Sequence, residues 1–191
     1  MTGLAVIDGD IISYRCAAGN EKRTVVATHN ETLEQLTFKT MTEFKSWIAT
    51  DGNFKVEDFT VVPKQTAAPV SHALSSLKKL IVSITERAGC DSYHIVVSGK
   101  DNFRLDLPLP NQYKSGRVDN IRPLQLQDCV NYLFEKHGAE VSVGEEADDT
   151  LVGYMYQGYK NKEYVVQASI DKDAKHGPGW LFDWTTMDKP E

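Results

Sequence analysis

The residues best able to do chemistry are carboxylates gathered in short clusters. One cluster is Gly144-Glu145-Glu146-Ala147-Asp148-Asp149, another is Ser169-Ile170-Asp171-Lys172-Asp173, and Asp8 closes the apolar run Leu4-Ala5-Val6-Ile7. An apolar run that ends in an acidic residue reads as a buried strand delivering a carboxylate to the end of a sheet. Several such deliveries into one space bring like charges together, and their repulsion calls for cations. The donors are hard oxygens with no Cys nearby in sequence, which favours magnesium or manganese over zinc. Glu146 and Asp149 are spaced to share one helix face, with Asp148 on the adjacent one. Acidic residues at a helix start also complement the macrodipole, and Asp171 with Asp173 alone would suit a solvated loop. The three clusters taken together are what point to a metal site.

A second constellation lies between Gly99 and Arg122, a stretch without clean periodicity that carries Pro108, Pro110 and Gly116. Lys100, Phe103, Arg104, Tyr113, Lys114, Arg117 and Arg122 interleave cations with aromatics. A charged loop of this kind is often only solvated surface. The interleaving, however, also suits phosphates and stacked bases. If the run from Tyr113 to Arg117 is helical, Lys114 and Arg117 share a face. A basic pair held over an acidic metal site would clamp a scissile phosphate.

These groups need elements to hold them. Leu4 to Ile7 reads as a buried strand followed by a short helix from Ile11 to Ala18. Arg23–His29 and Thr32–Lys39 read as a β-hairpin, and Phe59 to Val62 as a second buried strand. Thr42 is expected to cap a short helix through Trp47. Pro69 opens a long helix to about Ala88, with Leu74, Leu77, Ile81 and Ile84 at helical spacing. Tyr93–Val97 reads as a strand and Pro123–His137 as a helix. Ala139–Val143, Glu163–Ile170 and Trp180–Trp184 read as strands, with a helix from Glu145 to about Tyr159. Alternating strands and helices predict a mostly parallel α/β sheet, whose functional groups collect beyond the carboxyl ends of the strands.

Bulk properties narrow the class further. The chain has 191 residues, a length that suits one domain, 1–191, with a real core. Its formal net charge of -6 does not advertise nucleic-acid binding, although bound divalent ions would offset part of that charge. Cys16, Cys90 and Cys129 are scattered and odd in number, which fits a reducing compartment. No signal peptide or membrane-length apolar run is evident, so a cytoplasmic location is expected and a membrane partner is not. No phosphate-binding Gly-x-x-x-x-Gly-Lys-Ser/Thr loop, Gly-x-Gly-x-x-Gly turn or Gly-x-Ser-x-Gly elbow occurs. That counts against an ATPase, a dehydrogenase and an α/β-hydrolase.

In order, Ile7-Asp8-Gly9-Asp10, Asn102-Phe103-Arg104, Tyr113-Lys114-x-x-Arg117, Glu146-Ala147-Asp148-Asp149 and Ser169-Ile170-Asp171-Lys172-Asp173 resemble the 5′→3′ nuclease family. That family includes phage exonucleases, flap endonucleases and the 5′ nuclease domain of bacterial DNA polymerase I. The hairpin insertion and the Gly-Pro-Gly-Trp segment are most similar to phage members. The resemblance implies a PIN-like α/β domain with a helical arch over about 99–122. It implies a role in phage DNA replication in the host cell cytoplasm, and DNA with a 5′ single-stranded end or flap as substrate. Asp8, Glu146, Asp148, Asp149, Asp171 and Asp173 match carboxylates that hold two Mg²⁺ or Mn²⁺ ions. Arg104, Tyr113, Lys114 and Arg117 match positions in and beside the arch, with Lys114 on the scissile phosphate. Lys100, Phe103 and Arg122 are expected to touch DNA.

The pattern departs from the family in two places. Many members carry an Asp at the strand end before the arch. Here that position is Ser98, or Asp101 in a shifted register. Members also continue into a helix-hairpin-helix-type module that this sequence lacks, which leaves three readings open: a truncated chain, a split product whose partner is a separate module chain, or a minimal variant. Two rival readings are a PIN-type ribonuclease and a non-catalytic subunit that binds branched DNA beside a partner chain.

Overall fold

The computed structural model describes residues 2–102, 121–172, 174 and 177–191, with the backbone alone for 100–102. In chain order its elements are β1 (Leu4–Asp8), α1 (Gly9–Gly19), β2 (Glu21–His29), β3 (Gln35–Phe38), α2 (Met41–Asp51), β4 (Phe59–Ala67), α3 (Val70–Arg87), β5 (Ser92–Asn102), α4 (Leu126–His137), β6 (Glu140–Gly144), α5 (Ala147–Asn161), β7 (Val165–Ala168) and β8 (Trp180–Phe182).

β1 occupies the centre of a five-stranded sheet in the order β6-β5-β1-β7-β8. Every pairing in it is parallel, as strands joined by helical crossovers require. The chain builds outward from β1 through β5 to β6, then crosses back to β7. The topological switch therefore falls at β1 and β7, where open α/β sheets form crevices beyond their carboxyl ends.

Both faces of this sheet are covered, which is why its strands read as apolar runs. On one face Ala5 and Ile7 pack with Ile12 of α1, Leu77, Ile81 and Ile84 of α3 and Leu133 of α4. On the other, Val6, Val96 and Val165 pack with Ala147 and Leu151 of α5. Burial of each large aliphatic side chain contributes about 1.5–3 kcal/mol. The 18-residue α3 spans about 27 Å. It ends at the turn through Gly89 (φ +67°), beside Gly3 at the amino end of β1. The start of α3 therefore lies on the side of the strands' carboxyl ends.

β2, β3 and β4 form a separate antiparallel ribbon in the order β3-β2-β4. α2 covers one side, where Ala27, Phe44, Ile48 and Phe59 are buried among Phe38, Trp47, Phe54 and Val61. β4 is thus no buried strand of the main sheet. Only Phe59 of its residues is buried, because period-2 alternation turns just one row of its side chains towards α2. The cap of α2 is Thr40 rather than Thr42: the Thr40 hydroxyl accepts from Glu43 N at 3.1 Å, while Glu43 accepts from Lys39 N at 2.6 Å. That reciprocal pair needs Glu three residues after the cap, a spacing Thr42 lacks.

β5 runs five residues beyond the expected Val97 and pairs again with Gly144 after an irregularity that follows Ser98. α4 begins at Leu126 because Pro123 to Leu126 form a turn first. Among the described residues no helix is long and apolar enough to cross a membrane.

Candidate active site

The acidic residues converge where β1 and β7 end and α5 begins. Asp8 is the last residue of β1 and the cap of α1, with its Oδ1 accepting from Ile11 N at 3.0 Å. It is 2% exposed. Its Oδ2 accepts from the hydroxyl of Ser169, which in turn accepts from Asp171 N, both at 3.2 Å. Ser169 is itself buried just past β7, so one hydroxyl ties the ends of the two central strands together.

Asp148, in the first turn of α5, brings its carboxyl against that of Asp8. Burial, reinforced by the Asp148 and Asp10 charges, pushes the Asp8 carboxyl up to about 7. Asp148 is raised as well, first by burial and then by the charges of Asp171, Glu146 and Asp10. Asp8, Asp10, Glu146, Asp148 and Asp171 thus act on one small volume.

Local chemistry fixes the start of α5 within this group. Gly144 turns the chain at φ +77°. The buried Ser142 hydroxyl then holds the carbonyls of Glu145 and Glu146 at 3.1 and 3.2 Å, and Thr150 donates to Glu145 Oε1 at 2.7 Å. Asp149 turns back on its own helix and accepts from Glu146 N at 3.3 Å. Its acidic character therefore answers in part to the helix start. The N-terminal dipole of α5 also favours the negative charge collected there.

Asp10 is a member of the site that the sequence reading quoted without assigning. Its Oδ2 accepts from Ser98 N at 3.1 Å. Gly9 makes that reach possible: a Cβ there would stand 2.6 Å from Val97 Cγ2 and 2.8 Å from Val96 O. Only glycine lets α1 press so closely on β5. Ser169 was also missed as a connector. The one signal for each was position, a small or acidic residue within two places of a strand-end aspartate.

Ser98, considered as a stand-in for a missing aspartate, accepts from Ala147 N at 3.1 Å and so anchors the first residue of α5. Arg122 is exposed, and its carbonyl accepts from Gln65 Nε2. Phe103, Arg104, Tyr113, Lys114, Arg117 and Asp173 lie outside the described residues, as do the side chains of Lys100 and Asp101.

Among the described residues no three or more His, Cys, Asp and Glu side chains stand close enough together to hold one metal ion. The donor chemistry nevertheless fits a hard divalent cation. Every group is an oxygen donor, all are anionic when ionised, and two are destabilised in that form by one another and by burial. Comparison of the chain with models of protein families, with characterised proteins and with solved structures finds no match.

Proposed function

We propose that this chain is the PIN-like catalytic core of a divalent-metal-dependent 5′→3′ nuclease. It hydrolyses phosphodiester bonds in DNA that carries a 5′ single-stranded end or flap. The observation that carries the reading is the Asp8–Asp148 carboxyl pair at the carboxyl ends of the central strands, loaded by the charges of Asp10, Glu146 and Asp171.

Asp8, Glu146, Asp148 and Asp171, with Asp149 and Asp173, would hold two Mg²⁺ or Mn²⁺ ions. Bound divalent ions supply Lewis acidity and an acidified water for attack on phosphorus. The chain's own groups do the rest. Ile11 N–H and the Ser169 hydroxyl fix the rotamer of Asp8. Ser98 and Asp10 link α1, β5 and α5, so the carboxylates keep one geometry. Lys114 and Arg117 are assigned to the charge that develops on the scissile phosphate. Arg104, Phe103 and Lys100 are assigned to the DNA backbone and Tyr113 to an unpaired base at the junction.

The test is cleavage of a 5′-labelled flap and of a matched single strand with Mg²⁺, Mn²⁺ or EDTA. The expected result is metal-dependent cutting near the junction and a loss of at least about a hundredfold in Asp148→Asn, the scale of removing a group that stabilises transition-state charge. Equal cutting by wild type and Asp148→Asn would overturn the metal role. Tight binding of the flap with no cutting in any divalent metal would overturn the enzymatic reading.

A further inference from the structure

The ribbon has a second face that nothing in the reading above uses. Residues paired directly across neighbouring strands point to the same side of a sheet. The side opposite α2 therefore carries the cross-strand pairs Lys22–Thr66, Thr24–Lys64 and Thr28–Thr60. No helix covers it. Lys22, Lys64, Thr60 and Thr66 are exposed, and Val62 between them is 54% exposed.

The charge on this side is of one sign. Along β2, β3 and β4 it carries Lys22 and Lys64, while the strands' only carboxylate, Glu21, points the other way. Among the described residues neither lysine makes an ion pair. Lys22 and Lys64 are diagonal neighbours, about 7–8 Å apart at the backbone. Both flexible lysine side chains can therefore reach the phosphates of one DNA strand. Thr66 and Thr24, paired across from the two lysines, carry hydroxyls of the kind that donate to phosphate oxygens.

The ribbon is also anchored to the core, at the opposite end of α1 from the acidic site. It leaves the end of α1, whose first turn carries Asp10, and returns at the start of α3. Asn20 at that junction donates to Ala68 O, Pro69 O and Gln125 Oε1 at 3.2, 3.1 and 2.6 Å. The nine-residue β2 extends about 30 Å, close to one helical turn of B-DNA at about 34 Å.

We propose that the open face of the β3-β2-β4 ribbon is a docking platform for the phosphate backbone of duplex DNA, with Lys22 and Lys64 as its charged contacts. The occupant is argued from charge complementarity: a chain of net charge -6 presents here two exposed lysines among hydroxyls, with no carboxylate from the three strands. The platform takes the duplex arm of the branched substrate. In that respect it rests on the nuclease reading, but its binding does not depend on catalysis.

The test compares wild type with Lys22→Ala/Lys64→Ala and with Lys22→Arg/Lys64→Arg. Anisotropy of a fluorescent 20-base-pair duplex is followed in EDTA across a salt series. The alanine pair is expected to weaken binding and to reduce the slope of log affinity against log salt by about two, one per lysine, while the arginine pair retains both. On a flap substrate the alanine pair raises KM and leaves kcat unchanged; on a single strand without a duplex arm it changes neither. Identical duplex affinity and salt slope in wild type and the alanine pair would overturn the platform, even if cleavage is robust. Loss of binding to anionic lipid vesicles with duplex binding intact would overturn it too, by assigning the lysines to a membrane surface. If no metal supports cleavage, the nuclease reading fails, while the EDTA arm still decides the platform.

Discussion

At the residue scale the molecule sets stability against function in Asp8. The carboxyl is buried, caps α1 and faces Asp148. Asparagine keeps the Oδ1 that accepts from Ile11 N and removes the charge that burial and Asp148 oppose. Asp8→Asn is therefore expected to raise the thermal midpoint of the metal-free protein at pH 8. The gain is on the order of 1–2 kcal/mol, or roughly 2–8 °C for a chain of this size. The same change should abolish metal-dependent cutting. A thermal melt in EDTA beside a flap assay checks both, and a lower midpoint would mean that the charge is not strained. Asp8, Asp148 and Asp171 were legible in the sequence because each follows an apolar strand or opens a periodic helix. The division of labour between Asp148 and Asp149 was not legible. Which carboxylate turns inward and which caps its own helix depends on the Gly144 turn and on the Ser142 hydroxyl beneath it.

At the scale of elements, the join between ribbon and core depends on Glu21. Its side chain is 1% exposed. Oε1 accepts from Arg23 Nε at 2.6 Å and from Gln65 Nε2 at 3.2 Å, and Oε2 accepts from Leu124 N at 2.9 Å. Burial alone would raise this carboxyl, but those donors hold it below the usual glutamate range. Glu21→Gln keeps the shape and converts charge-assisted bonds into weaker ones, with one amide hydrogen facing donors. The expected cost is about 1–3 kcal/mol, read as a lower midpoint in chemical or thermal unfolding, and an unchanged midpoint would mean the bonds carry no net stability. Nothing in the sequence announced this join, because Gln65 and Leu124 lie 44 and 103 positions from Glu21. The ribbon strands themselves were legible from their Thr and Val content. Phe59–Val62 reads as a buried strand, yet only Phe59 is buried, because a short apolar run does not reveal how many of its faces are covered.

At the scale of the whole molecule, the two kinds of carboxyl give stability opposite responses to pH. Glu21 has a lowered pKa, so the stability it contributes is present above the ordinary glutamate range and is lost as pH falls through that range. Asp8 has a raised pKa. Its contribution is complete below the unfolded value of 3.8 and is lost as pH rises through about 7; Asp148, also raised, acts in the same direction. The metal-free protein is therefore expected to be most stable between these limits, with a midpoint that declines from about pH 5.5 to pH 8.5. A divalent cation that binds the ionised carboxylates binds the folded state alone, and stabilises it by RT ln(1 + [L]/Kd). Mg²⁺ should thus raise the midpoint most at the alkaline end and flatten the decline, and Asp148→Asn should reduce that effect. Thermal melts across this pH range, with EDTA and then with Mg²⁺, decide the matter without any nucleic acid. A flat profile in EDTA would remove the electrostatic argument for the site. A sloped profile that Mg²⁺ leaves untouched would show that the carboxylates repel one another without serving as a metal centre.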